Sequence, residues 1–160
     1  MKSDFSTSFT VPNTAQEVFD AITNVRAWWA GTVEGESKKT GDEFTYRYKN
    51  MHYSRHRLTE VIPCKKITWE TVESALNFVE NQQEWAGTTI DFDITASGGT
   101  TTLRFTHHGL QPLLACYNDC TNAWNHYING CLRELVLLKM LKTTAVELIR
   151  NCLILNSVFL

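Results

Sequence analysis

The clearest signal in this chain is TIDFDITASGGTTTLRFTHH, residues 89–108. Ile90, Phe92 and Ile94 alternate with Asp91, Asp93 and Thr95, the period of two that places apolar side chains on one face of a strand. Ser97-Gly98-Gly99 supplies the conformational freedom of a tight hairpin. The returning strand sets Leu103, Phe105 and His107 on one face and Thr102, Arg104, Thr106 and His108 on the other. Beyond Gly109 and Pro112 the period changes. Tyr117, Cys120, Trp124, Tyr127, Cys131 and Leu135 recur at steps of three and four, the buried stripe of a long helix. A sheet with one apolar face needs a cover, and this helix is the only element large enough.

Upstream, Phe5, Thr7, Phe9 and Val11 form a half-buried strand ended by Pro12. Thr14 and Glu17 make a capping-box pattern for a short helix buried through Val18, Phe19 and Ile22. A second short helical turn carries Val25, Trp28 and Trp29 before Gly31. Phe44, Tyr46 and Tyr48 mark another strand, and Lys49-Asn50 turns it into a long one from Met51 to Ile62. Ile67, Trp69 and Thr71 continue the meander. The polar stretch 74–86, with Phe78 and Trp85 embedded in it, reads as a loop and a candidate lid. The expected fold is therefore α+β: six to seven antiparallel strands, two short helices after the first strand, and one long C-terminal helix. Residues 1–135 are read as one domain. Residues 136–160 are read as an apolar extension, helical from the spacing of Val146, Leu148, Ile149 and Leu153, which packs on the same domain, on a protein partner or on a second copy.

At 160 residues, 43% hydrophobic and 20% charged, the chain can build a core without a metal or disulfide staple. A net charge of -2 offers no basic face to nucleic acid. No apolar run reaches the roughly 18 residues of a membrane span, and the first residues enter a strand without a signal-peptide core. Five cysteines, an odd number, read as reduced thiols of a cytoplasmic protein.

Candidate chemistry is sparse. His52 and His56 share a strand face, but at i, i+4 they stand roughly 13 Å apart along the chain, too far to hold one ion. Neither a metal nor a cofactor is expected. Cys116 and Cys120 lack a neighbouring base and read as small buried apolar residues. Asp91 and Asp93 oppose the core set of their strand and so face solvent. His107 shares its face with Leu103 and Phe105; it is either a polar anchor in a cavity or a strand-end histidine bonded to the next loop. Aromatic residues are the strongest signal. Trp28, Tyr46, Tyr48, Trp69, Phe92 and Phe105, with Tyr117, Trp124 and Tyr127 from the helix, either fill the interior or line an apolar pocket.

An ordered series of segments carries a family resemblance: Phe9-Thr10-Val11-Pro12 before Ala15-Gln16-Glu17-Val18-Phe19, the Trp28-Trp29 pair, Trp69-Glu70, Thr88-Thr89-Ile90-Asp91-Phe92, Gly98-Gly99-Thr100-Thr101-Thr102-Leu103, Thr106-His107-His108-Gly109-Leu110 and Cys120-Thr121-Asn122-Ala123-Trp124-Asn125-His126-Tyr127-Ile128. Over residues 5 to 135 it resembles the START-like (SRPBCC) superfamily, and within that the branch named after the activator of the heat-shock-protein-90 ATPase. The resemblance implies a helix-grip fold: a curved antiparallel sheet wrapped around the C-terminal helix, with an apolar cavity between them. Members of that superfamily include carriers, enzymes and co-chaperone domains, and the first reading of this chain is a non-catalytic domain that binds a small hydrophobic or aromatic molecule through the aromatic set above and His107. Its rivals are a co-chaperone-like interaction module and a polyketide cyclase or aromatase, the latter using His107 and a tyrosine. Most members of the superfamily end soon after the long helix, whereas this chain runs on to Leu160.

Overall fold

A computed structural model describes residues 3–142. Strand β1 (Phe5–Val11) leads into α1 (Ala15–Thr23) and a 3-10 turn (Val25–Ala27). Six strands follow: β2 (Thr32–Gly35), β3 (Glu43–Tyr48), β4 (His52–Ile62), β5 (Lys66–Leu76), β6 (Thr89–Ser97) and β7 (Thr100–His108). Helix α2 (Tyr117–Asn125) then runs through a π-helical segment (His126–Leu132) and continues as helix over 133–142. The strands form one antiparallel sheet in the order β1-β7-β6-β5-β4-β3-β2, with β1, paired to β7, at one edge and β2 at the other.

The local causes are visible. Thr14 accepts the Glu17 amide through its hydroxyl while the Glu17 carboxylate accepts the Thr14 amide, so α1 starts on a complete capping box. Lys49 takes φ +50 in the β3–β4 turn. Strand β2 is an element the periodicity did not reveal, since only Val33 of its four residues is buried. Strand β5 also runs past Thr71. There a bulge sets Arg55 opposite Glu73 but His56 opposite Thr71, and the extra residue re-aims Ser74 and Leu76 inward. A second irregularity between Leu58 and Glu60 adds curvature, and the sheet bends around the helix.

Against the concave face pack Leu58, Ile67, Trp69, Ile90, Phe92, Leu103 and Phe105, all at most 1% exposed. The helix buries Cys116, Cys120, Trp124, Ile128, Leu132 and Val136 against them. Tyr117, Tyr127, Cys131 and Leu135, expected on the buried stripe, are half-buried at its flank. The opposite face of the sheet carries ion pairs, among them Arg55 and Arg57 with Glu43, and Lys66 with Asp91 and Asp93. Of the extension 136–160, only 136–142 falls within the described residues. There Val136 is buried and its carbonyl accepts a hydrogen bond from Asn13 Nδ2 at 2.8 Å.

Candidate functional site: an aromatic cavity backed by buried histidines

The strand pleat aims Tyr46 and Tyr48 of β3 and His52 of β4 toward the helix, close to the β3–β4 turn. From the other side come Asp119, Cys120, Ala123 and Trp124 of α2 and Tyr127 of the π-helical segment. Trp29 closes the inner end, and Phe78 and Trp85 come from the β5–β6 loop. These residues, with the exposed Met51 at its mouth, line a cavity of about 240 Å³ that is open to solvent on one side. A wider hollow of about 630 Å³ lies elsewhere, between α1 and the β2–β3 loop, but its lining includes Asp20, Arg26, Glu36 and Lys38, a solvated surface groove.

The walls are built by ring packing. Trp29 stacks on Tyr46 at 3.8 Å between centroids and 9° between planes. Trp85 stacks on Trp124 at 5.6 Å and 12°. The Tyr46 hydroxyl donates to Ala30 O at 2.6 Å, and burial pushes its pKa up, so the phenol is held neutral. Gly31 lets the chain pass over that ring: with φ +142, a Cβ there would stand 2.9 Å from Tyr46 Cε2 and 2.6 Å from Arg47 O. Glu84 fastens the loop that carries Phe78 and Trp85 to the helix. Its carboxylate accepts the Ala115 and Cys116 amides at 3.0 and 2.9 Å.

Behind the cavity runs a buried polar line. The Trp124 indole N–H donates to His107 Nδ1 at 3.1 Å, and His107 Nε2 lies 2.8 Å from Thr88 Oγ1, whose hydroxyl donates to Trp85 O at 2.6 Å. A second line joins His52 Nε2 to Ser54 Oγ (3.0 Å), Ser54 Oγ to His56 Nε2 (2.8 Å) and His56 Nδ1 to Thr71 Oγ1 (3.3 Å). His56 and His107 are fully buried. Burial lowers the pKa of His107 to about 3 and of His52 to about 4, and pushes that of His56 well below the ordinary histidine value. All three imidazoles are neutral near pH 7.

Of the residues singled out in the sequence, Tyr46, Tyr48, Trp124 and Tyr127 stand on the cavity wall. Trp28, Trp69, Phe92 and Phe105 lie in the core instead. Trp28 stacks on Trp69 and donates its N–H to Ile22 O, and Phe92 and Phe105 meet edge to face. His107 sits beneath Trp85 and Trp124 with both ring nitrogens hydrogen-bonded. Tyr117 packs on the core at the start of the helix, outside the lining. The wall also includes Trp29, Met51, His52, Asp119, Cys120 and Ala123, together with the loop residues Phe78 and Trp85. In the sequence His52 suggests only a metal ligand; the structure puts Ser54 between it and His56. Among the described residues, no three His, Cys, Asp or Glu side chains converge as a metal site. Cys116 and Cys120 are buried free thiols, and the Cys120 thiol and burial push the Cys116 pKa up, away from thiolate character.

Residues 13–136 match the family model described as Activator of Hsp90 ATPase homolog 1-like protein. The chain belongs to that family. Among solved structures, the Aha1 dimer from Colwellia psychrerythraea is similar over 83% of this chain and 96% of that one, at 20% identity and a TM-score of 0.67. MLL2253 from Mesorhizobium loti aligns over 82% and 96% at 14% identity, TM-score 0.65. CalU16 from Micromonospora echinospora aligns over 88% and 80% at 12% identity, TM-score 0.62. At these identities the likeness is one of fold, a curved antiparallel sheet gripping a long C-terminal helix. Comparison with curated proteins gives no match. No helix among the described residues is long and apolar enough to cross a membrane.

Proposed function

We propose that this family member is a non-catalytic binding domain that takes one small hydrophobic or aromatic molecule into the cavity between sheet and helix. The observation that carries this reading is the lining itself: seven of its twelve residues are Phe, Trp or Tyr, around about 240 Å³. A dry apolar cavity of about 150 Å³ already accepts benzene, so one or two fused rings are in scale here. Ring faces supply the affinity, and the few polar atoms supply orientation. Against a catalytic reading stands the use of His107, whose two nitrogens are committed to Trp124 and Thr88. An interaction module, meeting a protein through the sheet edges or through residues 136–160, would need a small or filled cavity, and the hollow of about 240 Å³ favours binding of a guest instead.

Naphthalene, titrated into the full chain and followed by tryptophan fluorescence and ligand-observed NMR, tests the proposal. Saturable one-to-one binding is expected. Ala123 lines the cavity yet is exposed, so Ala123→Trp should fill the space without unfolding the domain and weaken binding at least about tenfold, 1.4 kcal/mol. Equal affinity in that variant would place the guest elsewhere and overturn the reading.

A further inference from the structure

The two buried hydrogen-bond lines differ in one respect that bears on what the cavity accepts. In the first, proton positions are forced. An indole N–H only donates, so His107 Nδ1 accepts from Trp124; its proton is on Nε2 and goes to Thr88, and the Thr88 hydroxyl goes to the Trp85 carbonyl, which only accepts. The second line, His52–Ser54–His56–Thr71, reaches the first at Thr71 Oγ1, 3.4 Å from Thr88 Oγ1, but no group in it is held to one role: the Thr88 proton goes to the Trp85 carbonyl, and Thr71 can give its own proton to His56 Nδ1 or to Thr88 Oγ1. Each member is a hydroxyl or a neutral imidazole, able to give or to take, and each contact is compatible with either direction.

Two complete arrangements follow. In one, Thr71 donates to His56 Nδ1, His56 Nε2–H to Ser54, and Ser54 to His52 Nε2, leaving His52 with a proton on Nδ1. In the other every bond is reversed: His52 Nε2–H donates to Ser54, Ser54 to His56 Nε2, and His56 Nδ1–H to Thr71, leaving His52 Nδ1 as a bare lone pair. Both hold the same number of protons and no net charge, and they interconvert by exchange with water during local opening. Among the described residues His52 Nδ1 has no hydrogen-bond partner, and His52 is a wall residue of the cavity.

We infer that His52 Nδ1 is the polar contact for the guest and that the Ser54–His56–Thr71 chain lets it act as donor or acceptor as required. The inference rests on the cavity being the binding site. The guest class is then an uncharged ring molecule with one hydrogen-bonding heteroatom of either polarity. An anionic group is disfavoured, because the neighbouring histidines are neutral and the one charged lining residue is Asp119.

Three guests of nearly equal size separate the possibilities: indole, which donates only; quinoline, which accepts only; and naphthalene, which does neither. The full chain with ¹⁵N-labelled histidine is read through its imidazole ¹⁵N shifts, which report the proton position on each ring. Indole and quinoline are each expected to bind about three- to tenfold more tightly than naphthalene, the scale of one net hydrogen bond. Quinoline should place the His56 proton on Nε2 and indole should place it on Nδ1, although His56 lies beyond Ser54 from the cavity. His107 should stay protonated on Nε2 throughout. In Ser54→Ala the guests should still bind while His56 ceases to respond. Binding with the same His56 tautomer for indole and quinoline would overturn the inference while leaving the cavity reading intact. The wild-type comparison decides this even if the variant does not fold. Failure of all three guests to bind would overturn the cavity reading and this inference with it.

Discussion

The Trp124 indole is 1% exposed, packs at 4.6 Å on Phe105, and gives its only polar hydrogen to His107 Nδ1. Truncation therefore removes a large buried ring and strands an acceptor. Trp124→Ala is expected to cost about 3–5 kcal/mol of stability, read from urea unfolding; an unchanged midpoint would contradict the packing described here. The residue scale is also where the sequence was least informative about the cavity. Trp28 and Trp29 are neighbours with the same side chain, yet only Trp29 reaches the wall, because the 3-10 turn ahead of them sets which indole faces which way. His52 and His56 look like a separated pair along a strand, and it is Ser54, on the same face between them, that makes them one system.

Within the C-terminal helix, burial falls at a uniform step of four, from Cys116 to Val136. In a regular α-helix four residues overshoot a turn by about 40°, so such a stripe would wind off the sheet after a few steps. The wider π-helical turn over His126–Leu132 absorbs the overshoot and keeps Ile128, Leu132 and Val136 facing inward. Nothing in a three-and-four periodicity announces that, which is why the expected stripe drifted to Tyr127, Cys131 and Leu135. The β5–β6 loop is held by Glu84 in a comparable way. Burial raises the pKa of its carboxyl, but the hydrogen bonds from Cys116 and Ala115 outweigh that and leave it below the ordinary value. Glu84→Ala should cost about 1 kcal/mol, the scale of a lost helix cap. It should also speed hydrogen exchange at the Ala115 and Cys116 amides. Unchanged protection there would mean the loop is held by its aromatic residues alone.

For the molecule as a whole, the three neutral histidines set the response to acid. Their folded pKa values lie below the unfolded value, so as pH falls through about 6.5 the unfolded chain takes up protons that the native state refuses. Each such proton withdraws about 1.4 kcal/mol per pH unit, with His52, the least buried, contributing least. The partly exposed His108, raised by its hydrogen bonds to Asp91 and Asp4 against the opposing effect of burial, works the other way: its contribution is present below the unfolded pKa and lost as pH rises through its own. Below about pH 6 that contribution is complete and grows no further, while the loss from the other three continues. Stability should therefore fall steeply between pH 6 and 4, read as the urea midpoint across that range, and a flat profile would mean that the buried imidazoles reach solvent. Strand alternation, the capping box, the hairpin glycines and the apolar helical stripe were enough to specify a sheet gripped around a helix, because each is a local pattern tied to burial of one face. Whether the aromatic residues would close into a solid core or leave a hollow depends on how bulges, a π-turn and ring stacking aim them, and those are set by contacts between elements far apart in the chain.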